Sequence, residues 1–148
     1  MSNPPSGQVV NAKDLQRIAD EKETEKLKEI LARRNKEEDE ERQARQDFMA
    51  REIRPDGIDR FNGWVRRAAE QGRSDIEILR FPSEYCTDRG RAINQQEPGW
   101  ENTLTGLPKE IFEFWQKHLQ SRGYKIRYQI VNFPNGMPGD IGITLSWS

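Results

Sequence analysis

The chain has 148 residues, 24 Lys and Arg against 25 Asp and Glu, and a mean hydropathy of −1.01. A net charge of −1 removes the strong electrostatic signature of a protein that binds nucleic acid mainly by neutralising phosphates. One cysteine, Cys86, excludes an intrachain disulfide and a cysteine-built zinc cage, and the absence of a membrane-length apolar run or a signal-peptide pattern makes the cytoplasm the expected location.

The two halves differ in kind. Residues 1–55 carry twelve basic and thirteen acidic residues but only one aromatic, Phe48, whereas residues 56–148 carry twelve of each sign and the other twelve aromatics. Residues 1–10, with Pro4, Pro5, Ser6 and Gly7, read as a disordered tail. A charged helical arm over 11–54 follows, with Asn11 as N-cap and Asp14 in the first turn, because neither Gly nor Pro interrupts the chain before Pro55. Such a helix, roughly 65 Å long at 1.5 Å per residue, cannot bury itself in a domain whose radius of gyration is about 12 Å. Acid-before-base pairs at i,i+4 (Glu29 with Arg33, Glu38 with Arg42, Glu41 with Arg45, Asp47 with Arg51) support it at roughly 0.2–0.5 kcal/mol each. Its apolar residues form short patches, Leu15 and Ile18, then Leu27, Ile30 and Leu31, then Phe48 and Met49, and no heptad register joins them, so self-association through the arm is only weakly encoded.

From Pro55 the composition is that of a folded domain, 55–148. Ile58, Phe61, Trp64, Val65 and Ala68 recur at helical spacing over about Asp56 to Gln71, with Gly72 as the stop. Ile76 to Phe81, closed by Pro82, reads as a first strand. Thr87 or Asp88 caps a short helix to about Asn94, and Pro98, Gly99 and Gly106 mark turns. Pro108 starts a helix with Ile111, Phe112, Trp115 and Leu119 on one face, stopped by Gly123. Tyr124 to Ile130 and Ile141 to Trp147 alternate apolar with polar on either side of a Gly/Pro-rich loop, the pattern of an antiparallel hairpin. The expected fold class is α+β, a three-stranded sheet with helices packed on one face, in the order α-β-α-α-β-β.

Sites are less legible. Glu84, Asp88, Arg89, Arg91 and Asn94 gather just past the first strand, where two guanidinium groups and a helix start suit a small anionic ligand. Mutual pairing of those charges explains them equally. Cys86 lacks a neighbouring base, since the only histidine, His118, borders the apolar face of a later helix and reads as structural. Asn135, Gly136, Gly139 and Asp140 are turn residues and offer one carboxylate, too few for calcium. Trp64, Trp115 and Trp147 read as core, while Trp100, in a Pro-Gly-Trp loop, either packs or anchors a partner. Neither a catalytic constellation nor a metal or cofactor motif emerges.

The leading expectation is therefore a non-enzymatic protein-interaction or regulatory module, docking through Leu27, Ile30, Leu31, Phe48, Met49 and Trp100. The first alternative is nucleic-acid binding through a local basic patch of Arg66, Arg67, Arg122, Lys125 and Arg127. The second is a small anionic-ligand binder or enzyme at 81–94.

Overall fold

The structure, a computed structural model, describes residues 7–148, so the tail expected over 1–10 lies largely outside the described residues; Gly7 to Val10 are non-helical and exposed. Two compact units are present, one ending at Ala44 and one running from Arg45 to Ser148.

Helix α1 spans Ala12–Met49 and buries no residue. Its start is as read: the Asn11 side-chain oxygen accepts the Lys13 amide at 3.3 Å. The charge pairing differs. Arg42 bonds Asp39 at 3.2 Å, one residue closer than the expected Glu38, and Arg45 leaves Glu41 for the Tyr85 ring, 5.4 Å away. The helix also stops at Met49, short of the expected Arg54. Tertiary bonds take over there: the Ile53 amide donates to Glu110, 3.3 Å away, and Pro55 holds Arg54 out of the helical region. Phe48 and Met49 are drawn into the second unit. Phe48 stacks on Phe81 at 6.1 Å and tilts against Tyr85 at 5.0 Å, while the Met49 sulfur lies 3.4 Å from the Thr105 hydroxyl, which donates to the Tyr85 carbonyl at 2.6 Å. The boundary expected at 54/55 thus falls ten residues earlier, and Phe48 and Met49 are internal packing residues instead of partner-facing ones.

The second unit is the α+β domain. Its elements are α2 (Gly57–Glu70), β1 (Asp75–Pro82), α3 (Arg91–Gln95), α4 (Gly106–Phe114), β2 (Lys125–Ile130) and β3 (Asp140–Ser146). The sheet order is β1-β3-β2 with both pairings antiparallel, so the last strand of the chain lies between the other two. Its register places Ile76, Leu145 and Ile126 in one row and Phe81, Ile141 and Ile130 in another, all on the helix-covered face. Glu77, Thr144 and Arg127 form a row on the other face, which is open and polar. Two core clusters sit under the helices, one around Phe81, Ile141 and Ile143 and one around Phe61, Ala68 and Leu145, sharing Ile78 and Ile126.

Two elements depart from regular geometry. In β1 the register shifts between Glu77 and Leu79, a bulge at Ile78. The helix expected from Pro108 to Gly123 starts at Gly106 and is α-helical only to Phe114; Trp115–Leu119 is wound as a wider π turn, and Gln120–Arg122 tightens again before Gly123. The Trp115 indole N–H donates to the Tyr124 carbonyl at 2.9 Å, which holds the wide turn in place. Gly106 is required where it stands, because its φ is +58° and a Cβ there would lie 2.8 Å from the Met49 sulfur. None of the described helices is long and apolar enough to cross a membrane.

If Phe48 belongs to the domain and Leu27 does not, truncating them separates the two. Phe48→Ala should lower the unfolding free energy of the tryptophan-bearing domain by about 2 kcal/mol, less than a fully buried Phe because the ring is half-buried. Leu27→Ala should change it by less than about 0.5 kcal/mol, being exposed. Urea unfolding followed by tryptophan fluorescence reads both.

Candidate functional site

Within the second unit the helix layer leaves a gap. A groove of about 630 Å³ runs between α2 and the α4–π segment and opens down to the sheet. Phe61 and Trp64 form one wall, Ile111, Phe114, Trp115 and Leu119 the other, and Ile78, Leu79 and Leu145 the floor. The depth is real: Leu145, on the central strand, is only 2 % exposed yet borders the groove. Residues 51–54 form one edge of the mouth.

Both backbone irregularities of the domain border this groove. The β1 bulge places Ile78 and Leu79 consecutively on the floor, and the π turn supplies Trp115 and Leu119 to the wall. Bulges and π turns each cost regular hydrogen bonding and are enriched beside functional sites. Two polar groups of the wall are satisfied internally, the Ile53 amide by Glu110 and the Trp115 indole N–H by Tyr124. The interior therefore offers apolar contact.

The mouth is charged. Arg51, Arg54 and Arg60 line it together with Glu52. Arg60 bonds Asp56 at 3.2 Å and the Arg51 guanidinium lies 5.7 Å from the Phe48 ring centre. The Arg54 carbonyl accepts the Gly57 amide at 2.9 Å, while its guanidinium has no hydrogen-bond or ion-pair partner among the described residues. Beside the groove, Ile58 and Trp64 remain 51 % and 45 % exposed, so Trp64 is a rim residue and not the core residue its helical spacing suggested. Trp64 also borders a shallower depression of about 470 Å³ with Arg73, Ile76, Glu77 and Ile78.

The 81–94 segment is built differently from an anion pocket. The Asp88 carboxylate accepts the Gly90 and Ala92 amides, both at 2.9 Å, and so ties down the first turn of α3, whose N-cap position is Gly90 and not the expected Thr87 or Asp88. Gly90 takes a φ of +83° there, with Ser83 so near that a Cβ would approach its Cβ to 2.8 Å. Arg91 lies 3.9 Å from Glu97, and Glu84, Arg89, Arg91 and Asn94 face solvent without converging on a cavity. Cys86 is buried among the residues of the first core cluster; burial pushes its thiol up to about 11, against a smaller lowering by the Thr103 hydrogen bond. The Tyr128 phenol is likewise raised by burial and donates to the Pro108 carbonyl at 2.7 Å.

His118 is exposed, its ring tilted on Phe114 at 4.8 Å. Trp100 packs edge-on to Phe112 and tilts on Tyr128, which makes it part of the core edge in place of a free anchor. The basic residues do not form one patch: Lys125 and Arg127 lie on the open sheet face, whereas Arg66 and Arg67 lie on α2, over the opposite face. Arg122 precedes Gly123, outside both. Among the described residues no three His, Cys, Asp or Glu side chains converge as a metal site would require. In the first unit, Leu27, Ile30 and Leu31 are each more than half exposed.

Comparison with known protein families, with curated proteins and with solved structures found no match.

Sequence reasoning missed the groove because its residues come from four separated segments. The α2 stripe, Ile58 through Ala68, has the ordinary width of a core-facing helix and does not mark it.

The buried thiol gives a direct check. With its ionisation raised to about 11, on the order of one Cys86 in a thousand is thiolate at pH 8, so a thiol reagent should label native protein slowly and unfolded protein at once. Because the folded state holds the proton more tightly, the stabilisation is complete below pH 9 and is lost as pH rises towards 11. Cys86→Ala should flatten the fall in stability between pH 9 and 10; an unchanged slope would contradict the assignment.

Proposed function

We propose that the chain is a non-enzymatic, cytoplasmic protein-interaction module whose charged helix docks on a partner. The observation that carries this reading is Leu27, Ile30 and Leu31, three aliphatic side chains at i, i+3 and i+4 that are 60 %, 53 % and 53 % exposed on a helix with no buried residue. Helix-in-groove recognition uses this spacing of anchors. Acids and bases that alternate around them keep the helix soluble, and local pairs such as Arg17 with Asp14 and Lys22 with Glu25 add little stability individually. A partner supplies the burial that such a helix lacks by itself. The chain's single, inert thiol fits a reducing compartment.

The test replaces the three anchors by glutamine, which preserves charge and helix propensity. The L27Q/I30Q/L31Q protein should keep the near-ultraviolet circular dichroism of the domain and lose the proteins that the wild-type chain retains from host lysate. Equal retention by both proteins would sink the reading.

A further inference from the structure

The groove of the second unit is independent of the arm, and its chemistry is specific enough to name an occupant. We infer that it binds an amphipathic monocarboxylate, an acyl chain of medium length whose carboxylate is received by Arg54 at the mouth.

Three observations converge on that chemistry. The volume, about 630 Å³, lies within the roughly 300–1,000 Å³ of small-molecule sites. The side chains of the walls and floor are aliphatic and aromatic down to Leu145, and the Ile53 amide and the Trp115 indole N–H are already paired, so an occupant inside the groove gains chiefly from apolar burial. The cationic groups sit only at the mouth. Of these, Arg60 is held by Asp56 and Arg51 lies over Phe48, which leaves the Arg54 guanidinium to receive a planar carboxylate through two parallel hydrogen bonds. Glu52 at the same edge disfavours a doubly charged head group, which is why a monocarboxylate is chosen over a phosphate ester. A ligand with one charged end and an uninterrupted apolar tail meets all three conditions. A peptide helix would bring polar groups on both flanks to a site that has charge at one end.

Glu110 gives the mouth its shape. By accepting the Ile53 amide it fixes the segment that carries Arg51 and Arg54, and Gly57, where a Cβ would lie 3.0 Å from Ile53, lets α2 begin close against it.

The full chain is titrated with decanoate, decanol and decyltrimethylammonium by calorimetry, with the fluorescence of Trp64 and Trp115 in the groove followed in parallel. Saturable decanoate binding, at least about tenfold weaker for both the cationic analogue and the R54Q protein, is expected from a charge-assisted pair. The Ile111→Trp variant should abolish binding by filling the groove; if that variant fails to fold, R54Q and the head-group series decide. Equal binding of all three head groups, an unaltered R54Q affinity, or no decanoate binding would each overturn the inference. So would a concentration-dependent dimer that R54Q disrupts and decanoate does not, which would make a second copy the occupant.

Discussion

The domain depends on β3. It is the last strand in the chain and the middle strand of the sheet, and both β1 and β2 are paired to it alone. Until Asp140–Ser146 is present, two strands lack their only partner and the helices lack most of the surface they cover. Ile141 and Ile143 are fully buried and Leu145 nearly so, each facing the helix layer, while Gly142, Thr144 and Ser146 face the other way. The small residue at 142 is needed: a Cβ there would lie 2.8 Å from a Val131 methyl and 3.4 Å from the Glu77 carboxylate, which folds across the strand. Large groups on one side and small ones on the other let a single strand serve as the centre of a core and as the floor of a polar face. Non-local pairings of this kind make folding slow compared with a helical bundle.

The groove follows from how the layer above β3 is assembled. The bulge in β1 turns Ile78 and Leu79 toward the helices in succession, which widens the apolar area that a regular strand would present. Two helices then share the covering. Helix α2 is fixed through Phe61 and Ala68, and the α4–π segment through Leu107 and Leu119. In the π turn the Trp115 indole reaches the Tyr124 carbonyl, so a hydrogen bond holds this wall in addition to the packing of Leu119 in one cluster with Phe61 and Leu145. A sheet made wider and a helix held outward leave apolar surface that the chain itself does not cover.

What the sequence revealed and what it hid follow one physical division. Local periodicity gave the α+β class, the arm, α2, the first strand and the C-terminal hairpin, because each is a repeat of apolar residues along a short segment. Capping chemistry likewise pointed to Asn11, whose side chain does bond a following amide, and to Asp88, which bonds the Gly90 and Ala92 amides although the N-cap position itself is Gly90. Features set by tertiary contact were invisible. The end of α1 at Met49 depends on Phe81, Thr105 and Glu110, all distant in sequence. The strand order depends on which pairing buries Ile141 and Ile143 best. Exposure of Trp64 depends on whether anything packs opposite, which no spacing along α2 can state. Arg54 looked like one more charge at the end of a charged helix, and only its place on the rim of a cavity distinguishes it.

That distinction is one of environment. Arginines such as Arg66, Arg67 and Arg127 are exposed, where water solvates them and a bound anion would gain little. Arg54 is also exposed, but one side of it borders the apolar groove, so an anion received there is partly removed from water by the same ligand whose tail is buried below. Coulombic attraction strengthens as the local dielectric falls, and apolar burial of the tail offsets the loss of hydration at the head. The two contributions depend on each other, since a head group alone would remain hydrated and a tail alone would have no preferred orientation. The neutral balance of the whole chain therefore says little about the mouth, where a guanidinium with no ion-pair partner among the described residues stands at the edge of a groove that reaches the central strand.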